Sequence, residues 1–377
     1  MTKKASLLSI RQVFWLSWKL VIAFTIGLCV FALLRLQHSQ SQLFSSSRRY
    51  RIPDDSFEGP PKIAFLFLAR RNLPLDFLWG NFFQNADVAN FSVHIHSEPG
   101  FMFDETTTRS PFFYNRQLSN SIKVAWGESS MIQAERLLLR AALEDPANRR
   151  FVLLSDSCVP LYNFSYIYDY LMASPRSFVD SFLDKKEDRY NPEMSPVIPL
   201  NKWRKGSQWV TLVRRHAEVI ANDEVIFLVF RKSCKRRPPI DASKGKLNIK
   251  LQKQHNCIPD EHYVPTLLAM SDLEGELERR TVTYTSWNHS ATNMEGNSWH
   301  PFTFSYATAA PEHIKRIKDV NHVYYETEYR IEWCKNNSTF VPCFLFARKF
   351  SQGAAMRLLR GEVVGRFDTS ALFDKPS

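Results

Sequence analysis

Between Cys257 and Leu268 the chain reads Cys-Ile-Pro-Asp-Glu-His-Tyr-Val-Pro-Thr-Leu-Leu, which sets two carboxyl groups and an imidazole at three consecutive positions. A Pro-Asp-Glu start places Asp260 and Glu261 in the first turn of a helix, where the backbone dipole favours negative charge. Two roles are open to them. Asp260 can cap the helix while Glu261 accepts local backbone donors, or one of the two can face a pocket and act as a general base. His94 and His96 stand two apart in a strand-like run and so share one face, but a zinc site would need further ligands. Ser155-Asp156-Ser157 offers one carboxylate after a strand, too few to hold a hard divalent ion, and no Asp-x-Asp occurs in the chain. P-loop and Gly-x-Gly-x-x-Gly patterns are also missing, so nucleoside-triphosphatase and dinucleotide readings lose their main support.

The elements that must position these groups follow from periodicity. Lys62 to Leu68 is a short apolar run of the kind buried on both faces of a sheet. Leu75 to Phe83 reads as a helix, Phe91 to His96 as a second strand, and Ile122 to Ala125 as a short third. Ser130 to Leu143 predicts a helix that opens with a capping box at Ser130 and Gln133. Phe151 to Asp156 is a buried strand ending in polar residues, and a helix from Phe164 to Met172 follows. This order predicts an α/β fold, a mostly parallel sheet covered by helices, with ligands at the carboxyl ends of the strands.

The 377 residues are 44% hydrophobic, enough for a packed core and inconsistent with a disordered or small disulfide-stapled chain. A net charge of +11 invites a nucleic-acid partner, but eight positive charges lie in residues 1–51, which contain no acid. Much of the remaining excess falls in Arg231 to Lys250, read as a solvated loop. Gln12 to Leu34 carries one charge, Lys19, and as a helix would reach about 34 Å, enough to cross a bilayer with the lysine snorkelling to the headgroups. The run ends in Ala-Leu-Leu-Arg, a poor cleavage site, so an uncleaved signal anchor is expected. With Lys3, Lys4 and Arg11 before it, residues 1–11 become a cytoplasmic tail, 12–34 a transmembrane helix, 35–61 a stem, 62–360 a lumenal domain and 361–377 a C-terminal tail.

Glycosylation acceptors at Asn90, Asn163, Asn288, Asn336 and Asn337 agree with that compartment. Apart from Cys29 in the anchor, five cysteines permit two bridges and one free thiol. Cys334 and Cys343 can close a short loop, and Cys234 with Cys257 can brace the basic stretch; the other arrangement is five buried reduced thiols.

Trp126-Gly127 with Ser130 to Arg136, Phe151 to Leu161, Lys205-Gly206-Ser207-Gln208-Trp209 with Arg214, and Cys257 to Thr266 occur in one order. Together they resemble the core-2/I-branching β-1,6-N-acetylglucosaminyltransferase family, most of all its plant brittle-culm branch, over roughly residues 62 to 360. The resemblance implies a single-pass type II glycoprotein of the Golgi membrane with a GT-A-like nucleotide-sugar-binding domain. Such an enzyme transfers a sugar, N-acetylglucosamine by family, from a UDP-sugar to a glycan or glycoprotein hydroxyl with inversion; in the plant branch a cell-wall polysaccharide is the acceptor class implied.

The family's general base maps onto Glu261, and Lys349 matches its diphosphate lysine, with Arg348 beside it. Basic side chains in place of a metal are sound electrostatics for a departing diphosphate, so no cofactor is implied. His96, Asp156 and the softer candidates His94 and Glu98 are expected on the donor side. Trp287, Lys205 and Trp209 are expected on the acceptor side, with Trp203, Trp299 and Arg204 as further candidates. The spacing of Cys334 and Cys343 also looks like the family's C-terminal disulfide. One departure is that Thr339-Phe340-Val341-Pro342 precede Cys343 where mammalian members carry a basic residue, which leaves Lys349 as the main diphosphate contact. The alternatives are the same chemistry with xylose or glucuronic acid as donor sugar, and a non-catalytic, membrane-tethered glycan-binding scaffold. Nucleic acid is not an expected partner.

Overall fold

The computed structural model describes residues 15, 18–19, 22, 24–31, 57–236, 256–287, 301–336 and 339–364. Residues 1–56 and 57–377 form separate compact units. In the first, residues 24–31 are helical, and among the described residues no helix is long and apolar enough to cross a membrane. Much of the expected anchor, residues 35–56 of the stem, 237–250 of the basic stretch, residues 365–377, Asn288, Trp299, Asn337 and the side chain of Asn336 lie outside the described residues.

The second unit is built on β1 (Lys62–Leu68), whose alternation sends Ile63, Phe65 and Phe67 into one core and Ala64 and Leu66 into another. Both faces are therefore buried, as a continuous apolar run requires. Helix α1 (Asp76–Gln84) lays Trp79, Phe82 and Phe83 against Phe65 at ring distances of 5.2 to 6.1 Å. Buried rings of this size contribute about 2–3 kcal/mol each. Then come β2 (Phe91–His96), α2 (Ser130–Leu143), β3 (Asn148–Ser155), β4 (Val159–Pro160) and α3 (Phe164–Ala173). Next are β5 (Ser177–Phe178), β6 (Thr211–Val213), α4 (Arg214–Asn222), α5 (Ile226–Ser233) and α6 (Pro259–Met270). The chain closes with β7 (Leu277–Glu278), β8 (Thr283–Thr285), α7 (Pro311–Lys318), the hairpins β9–β10 (His322–Tyr325, Arg330–Trp333) and β11–β12 (Lys335–Asn336, Thr339–Phe340), β13 (Phe346–Arg348) and α8 (Gln352–Arg360).

The main sheet has the order β2-β1-β3-β6-β5-β7. β1 is parallel to β2 and β3, and β5 to β7, while β6 runs antiparallel to both its neighbours. A smaller sheet places β13 between β4 and β8. The mixed, mostly parallel sheet covered by helices fits a GT-A-like architecture.

Two local expectations are corrected. Residues 122–125 form no strand; Ile122 N–H instead donates to His96 Nε2 at 3.0 Å. No capping box forms at Ser130, because its hydroxyl accepts from Ala125 N–H at 3.0 Å and Ser129 occupies the cap position. Two arginines of the recognised motifs are scaffolding. Arg136 and Arg214 spend their guanidiniums on carbonyls at or just beyond the carboxyl ends of α4 and α2, including Ile220 O at 3.1 Å and Leu143 O at 2.7 Å, where cations complement the helix dipole. Both Cys234–Cys257 and Cys334–Cys343 are disulfides, and Cys158 is a buried free thiol. The start of the basic stretch is docked rather than solvated: Arg236 lies over the Trp126 ring, and its N–H donates to Gly127 O at 3.0 Å.

Candidate active site at the strand ends

Helix α6 begins at Pro259 with no side-chain cap, so Asp260 and Glu261 stand in the first turn as the sequence requires. Seven residues in, Pro265 has no N–H to give the carbonyl of Glu261, its partner four residues back. Gly206 N–H fills that vacancy, donating to Glu261 O at 2.8 Å. Arg204 reinforces the seam: its N–H donates to Thr266 Oγ1 at 3.0 Å, and its carbonyl lies 2.8 Å from His262 Nδ1. On the other side Lys205 exchanges two backbone hydrogen bonds with Phe182, at 2.8 and 2.9 Å. A Cβ on Gly206 would lie 1.9 Å from the carbonyl oxygen of Asp180, which is why the Lys-Gly-Ser-Gln-Trp segment has glycine here. Lys205 is thereby pinned beside Glu261, their charged groups 4.0 Å apart.

Glu261 also pairs with Arg189, Nη1 to Oε2 at 2.6 Å. Arg189 and Lys205 both reach Glu187, so two acids and two bases form one compact network. Asp260 points the other way. It is buried, its Oδ1 has no hydrogen-bond partner, and burial together with Glu261 raises its carboxyl to about 7. Glu135 on α2 is buried close by and accepts from Gln208 at 2.7 Å; burial, then Asp260, push its carboxyl well up. Of Asp260, Glu261 and Glu135, only Glu261 is partly exposed, its side chain 24% accessible.

The cations sit at the end of β13. Arg348 is largely buried with its guanidinium 4.3 Å from the centre of the Trp209 ring, and burial lowers its pKa against the pull of Cys158, Asp156 and Asp260. Lys349 follows, its ammonium lowered by burial and by Arg348. Asp156 lies just past β3, 3.0 Å from Arg70 and within electrostatic reach of Arg348 and Lys349. That carboxylate faces three cations, and among the described residues no cluster of three or more His, Cys, Asp or Glu side chains is placed to hold a metal. His96 ends β2; burial holds it neutral with a value near 4, and since Nε2 accepts from Ile122 the proton belongs on Nδ1, a buried donor without a partner. His94, also lowered to about 4 by burial, has an unpaired Nε2.

Other expected residues fall elsewhere. Trp209 is 5% exposed and carries Arg348, so it positions a cation instead of offering a face to a sugar. Trp203 is buried between His262 and Phe230 as a core plug. Arg204 is committed to Glu274 at 2.8 Å, and Glu98 lies 3.6 Å from Arg71 at the surface. Trp287 is 46% exposed at the end of the segment after β8, available for stacking. Asn163 is exposed and caps α3, accepting from Tyr166 N–H, while Asn90 is half-buried. Sequence reasoning missed Arg189, Glu187 and Glu135. The first two sit in a run of mixed charges that reads as a solvated loop, and Glu135 sits beside Arg136 on a helix whose buried face is apolar apart from these two.

The family model of the core-2/I-branching enzyme matches residues 63–318, which include Asp156, Lys205 and Glu261. The chain is also 54% identical over 305 residues to a rice protein (Oryza sativa subsp. japonica) named Glycosyltransferase BC10, covering 80% of this chain and 76% of that protein.

Proposed function

The chain belongs to the core-2/I-branching enzyme family, and from that premise we propose an inverting, UDP-sugar-dependent glycosyltransferase acting on glycan hydroxyls in the Golgi lumen. That it is a glycosyltransferase follows from the family; donor, base, stereochemistry and compartment are our reading. The observation that carries it is the meeting of opposite charges across the strand ends, with Glu261 on the first turn of α6 and Arg348 and Lys349 at the end of β13, joined through Asp260.

In this reading a glycan hydroxyl donates its proton to Glu261 as its oxygen attacks the anomeric carbon from the face opposite UDP, which inverts the centre in one displacement. Taking the proton removes the charge of Glu261. Arg189 keeps Glu187 as a partner, so no buried cation is stranded at that moment. Negative charge grows on the diphosphate as the bond to the sugar breaks, and Arg348 and Lys349 receive it in place of a metal. His96 Nδ1–H and Arg348 Nε–H are unpaired buried donors available to the nucleotide. The sugar is N-acetylglucosamine-like by family, with xylose and glucuronic acid as the competing donors. Residues 12–34, a 23-residue run with one charge, support the signal anchor, and the exposed acceptor Asn163 supports a lumenal domain.

The test is to incubate the purified full-length chain with UDP-N-acetylglucosamine, UDP-xylose and UDP-glucuronic acid and a panel of glycan acceptors, scoring UDP release and the anomeric configuration of the product. Inversion that persists in excess chelator is expected. A retained configuration, or a strict Mn²⁺ requirement, refutes the mechanism.

A further inference from the structure

A half-open cavity of about 330 Å³ lies between the end of β8, the segment 302–308 and α7. Its size is at the small end of ligand pockets, about 300–1,000 Å³, which suits one or two rings. Tyr284, Phe302 and Phe304 supply flat apolar walls. They are braced from behind, Phe302 meeting Phe304 edge to face at 5.2 Å and Phe304 stacking on Phe350 at 4.7 Å. The polar groups are Ser286 and Thr308, with His313 and Arg316 one turn apart on α7. Among the described residues Arg316 has no ion-pair partner, and the hydroxyls of Tyr284 and Ser286 have no hydrogen-bond partner.

Ring walls with free hydroxyls fit a sugar, whose C–H faces stack on aromatics while its hydroxyls need donors and acceptors at the edge. An unpaired guanidinium adds a planar fork matched to a carboxylate. The cavity is also tied to the reaction side. Phe304 N–H donates to Lys349 O at 2.7 Å, and Trp287 follows Ser286 directly.

We propose that this cavity binds a hexuronic acid unit of the acceptor glycan, its carboxylate on Arg316 and its ring against Tyr284, Phe302 and Phe304. The proposal rests on the reading that the acceptor is a glycan, and extends it to an acidic one. Titration calorimetry of the full-length chain with methyl galacturonoside and methyl galactoside, without donor, tests it. The uronide should bind at least tenfold more tightly than the neutral glycoside. Arg316→Gln should abolish that preference, a loss of about 10- to 150-fold for a charged hydrogen bond, while Arg316→Lys keeps part of it. Arg316 is exposed, so both variants should melt like the wild type. Glu261→Gln should leave uronide binding unchanged, so failure of the general-base assignment and failure of this site give different results. Equal binding of the two glycosides, no binding of the uronide, or an undiminished preference in Arg316→Gln overturns the proposal.

Discussion

Replacing Gly206 with alanine should disable the site through one methyl group. The new Cβ would fall 1.9 Å from the carbonyl oxygen of Asp180 and 2.7 Å from its carbon, and backbone cannot swing aside as a flexible side chain can. To reach even 3.0 Å the two segments must part by about 1.1 Å. That movement carries Gly206 N–H, now 2.8 Å from Glu261 O, out of hydrogen-bond range, and strains the paired bonds between Lys205 and Phe182. Pro265 has no N–H to offer, so the Glu261 carbonyl is left unpaired at a cost of about 1–3 kcal/mol, with roughly 0.5–1.5 more for each ladder bond lost. A total near 2–4 kcal/mol is expected, seen as a fall in Tm of roughly 3–6 °C for a unit of this size. Lys205 would move about 1 Å relative to Glu261, and turnover should drop on the order of 100-fold, beyond what partial unfolding explains. Thermal melts by circular dichroism and UDP release measured well below the variant's Tm separate the two effects. A Pro265→Ala background sharpens the test: the helix then supplies its own N–H to Glu261, so the same glycine change should cost less stability while still displacing Lys205. If Gly206→Ala melts and turns over within twofold of the wild type, the close approach to Asp180 does not position the site.

Glu261→Gln should lower kcat by about 10²–10⁴-fold with UDP affinity unchanged by calorimetry; normal turnover removes it as the base. Lys349→Ala should weaken UDP binding tenfold or more, the loss shrinking as salt is raised, and an unchanged Kd would place the diphosphate elsewhere. Asp260 is raised to about 7, so between about pH 4 and 7 the folded chain holds a proton the unfolded chain has lost. Its contribution to stability is therefore full below about pH 4 and is lost as pH rises through 7, by at most about 4 kcal/mol. Asp260→Asn should flatten that slope in pH-dependent melts and raise Tm at pH 8; a wild-type slope would assign it to other groups. Losing the nine-residue Cys334–Cys343 link through a Cys334→Ser, Cys343→Ser double variant should cost about 2–3 kcal/mol, measured by urea unfolding, and no change in midpoint would show that the link adds nothing.

Where one local signal ruled, the sequence was legible to the residue. Phe91–His96 and Ser130–Leu143 have the bounds that periodicity predicts, because each has a single buried face and no competing pairing. Strands β5, β6 and β7 were not legible, since two or three residues carry no period and their pairing is decided by neighbours far along the chain. The same limit governs the site. The proline-led, acidic helix start left Asp260 and Glu261 both open, and only the resemblance pointed to Glu261 and to Lys349. Arg189 lies 72 positions from Glu261, and nothing in Lys-Lys-Glu-Asp-Arg-Tyr distinguishes the arginine that folds inward from the lysines that stay in water. Tryptophan was the least legible residue, because exposure decides its role: Trp203 and Trp209 are buried, while Trp287 is open.

The placement of the two cations bears on how catalysis would divide between binding and turnover. Arg348 and Lys349 are adjacent, each is pulled below its ordinary pKa by burial, and Lys349 is lowered further by Arg348. Asp156 offsets part of that repulsion, but it is already shared with Arg70. In the proposed mechanism, a diphosphate entering the site would relieve both the desolvation and the repulsion, which would give the intact donor its affinity. As the sugar left, the diphosphate would gain negative charge, so the same cations would hold the transition state more tightly than the ground state. As the proposed base, Glu261 would change in the opposite sense at the same moment, losing its charge to the proton it accepts. The two ends of the site would thus exchange roughly one unit of charge during such a displacement. Arg189, paired with Glu261, and Arg348, over the Trp209 ring, would be the positive groups held in place that let this happen without solvent reorganising around either.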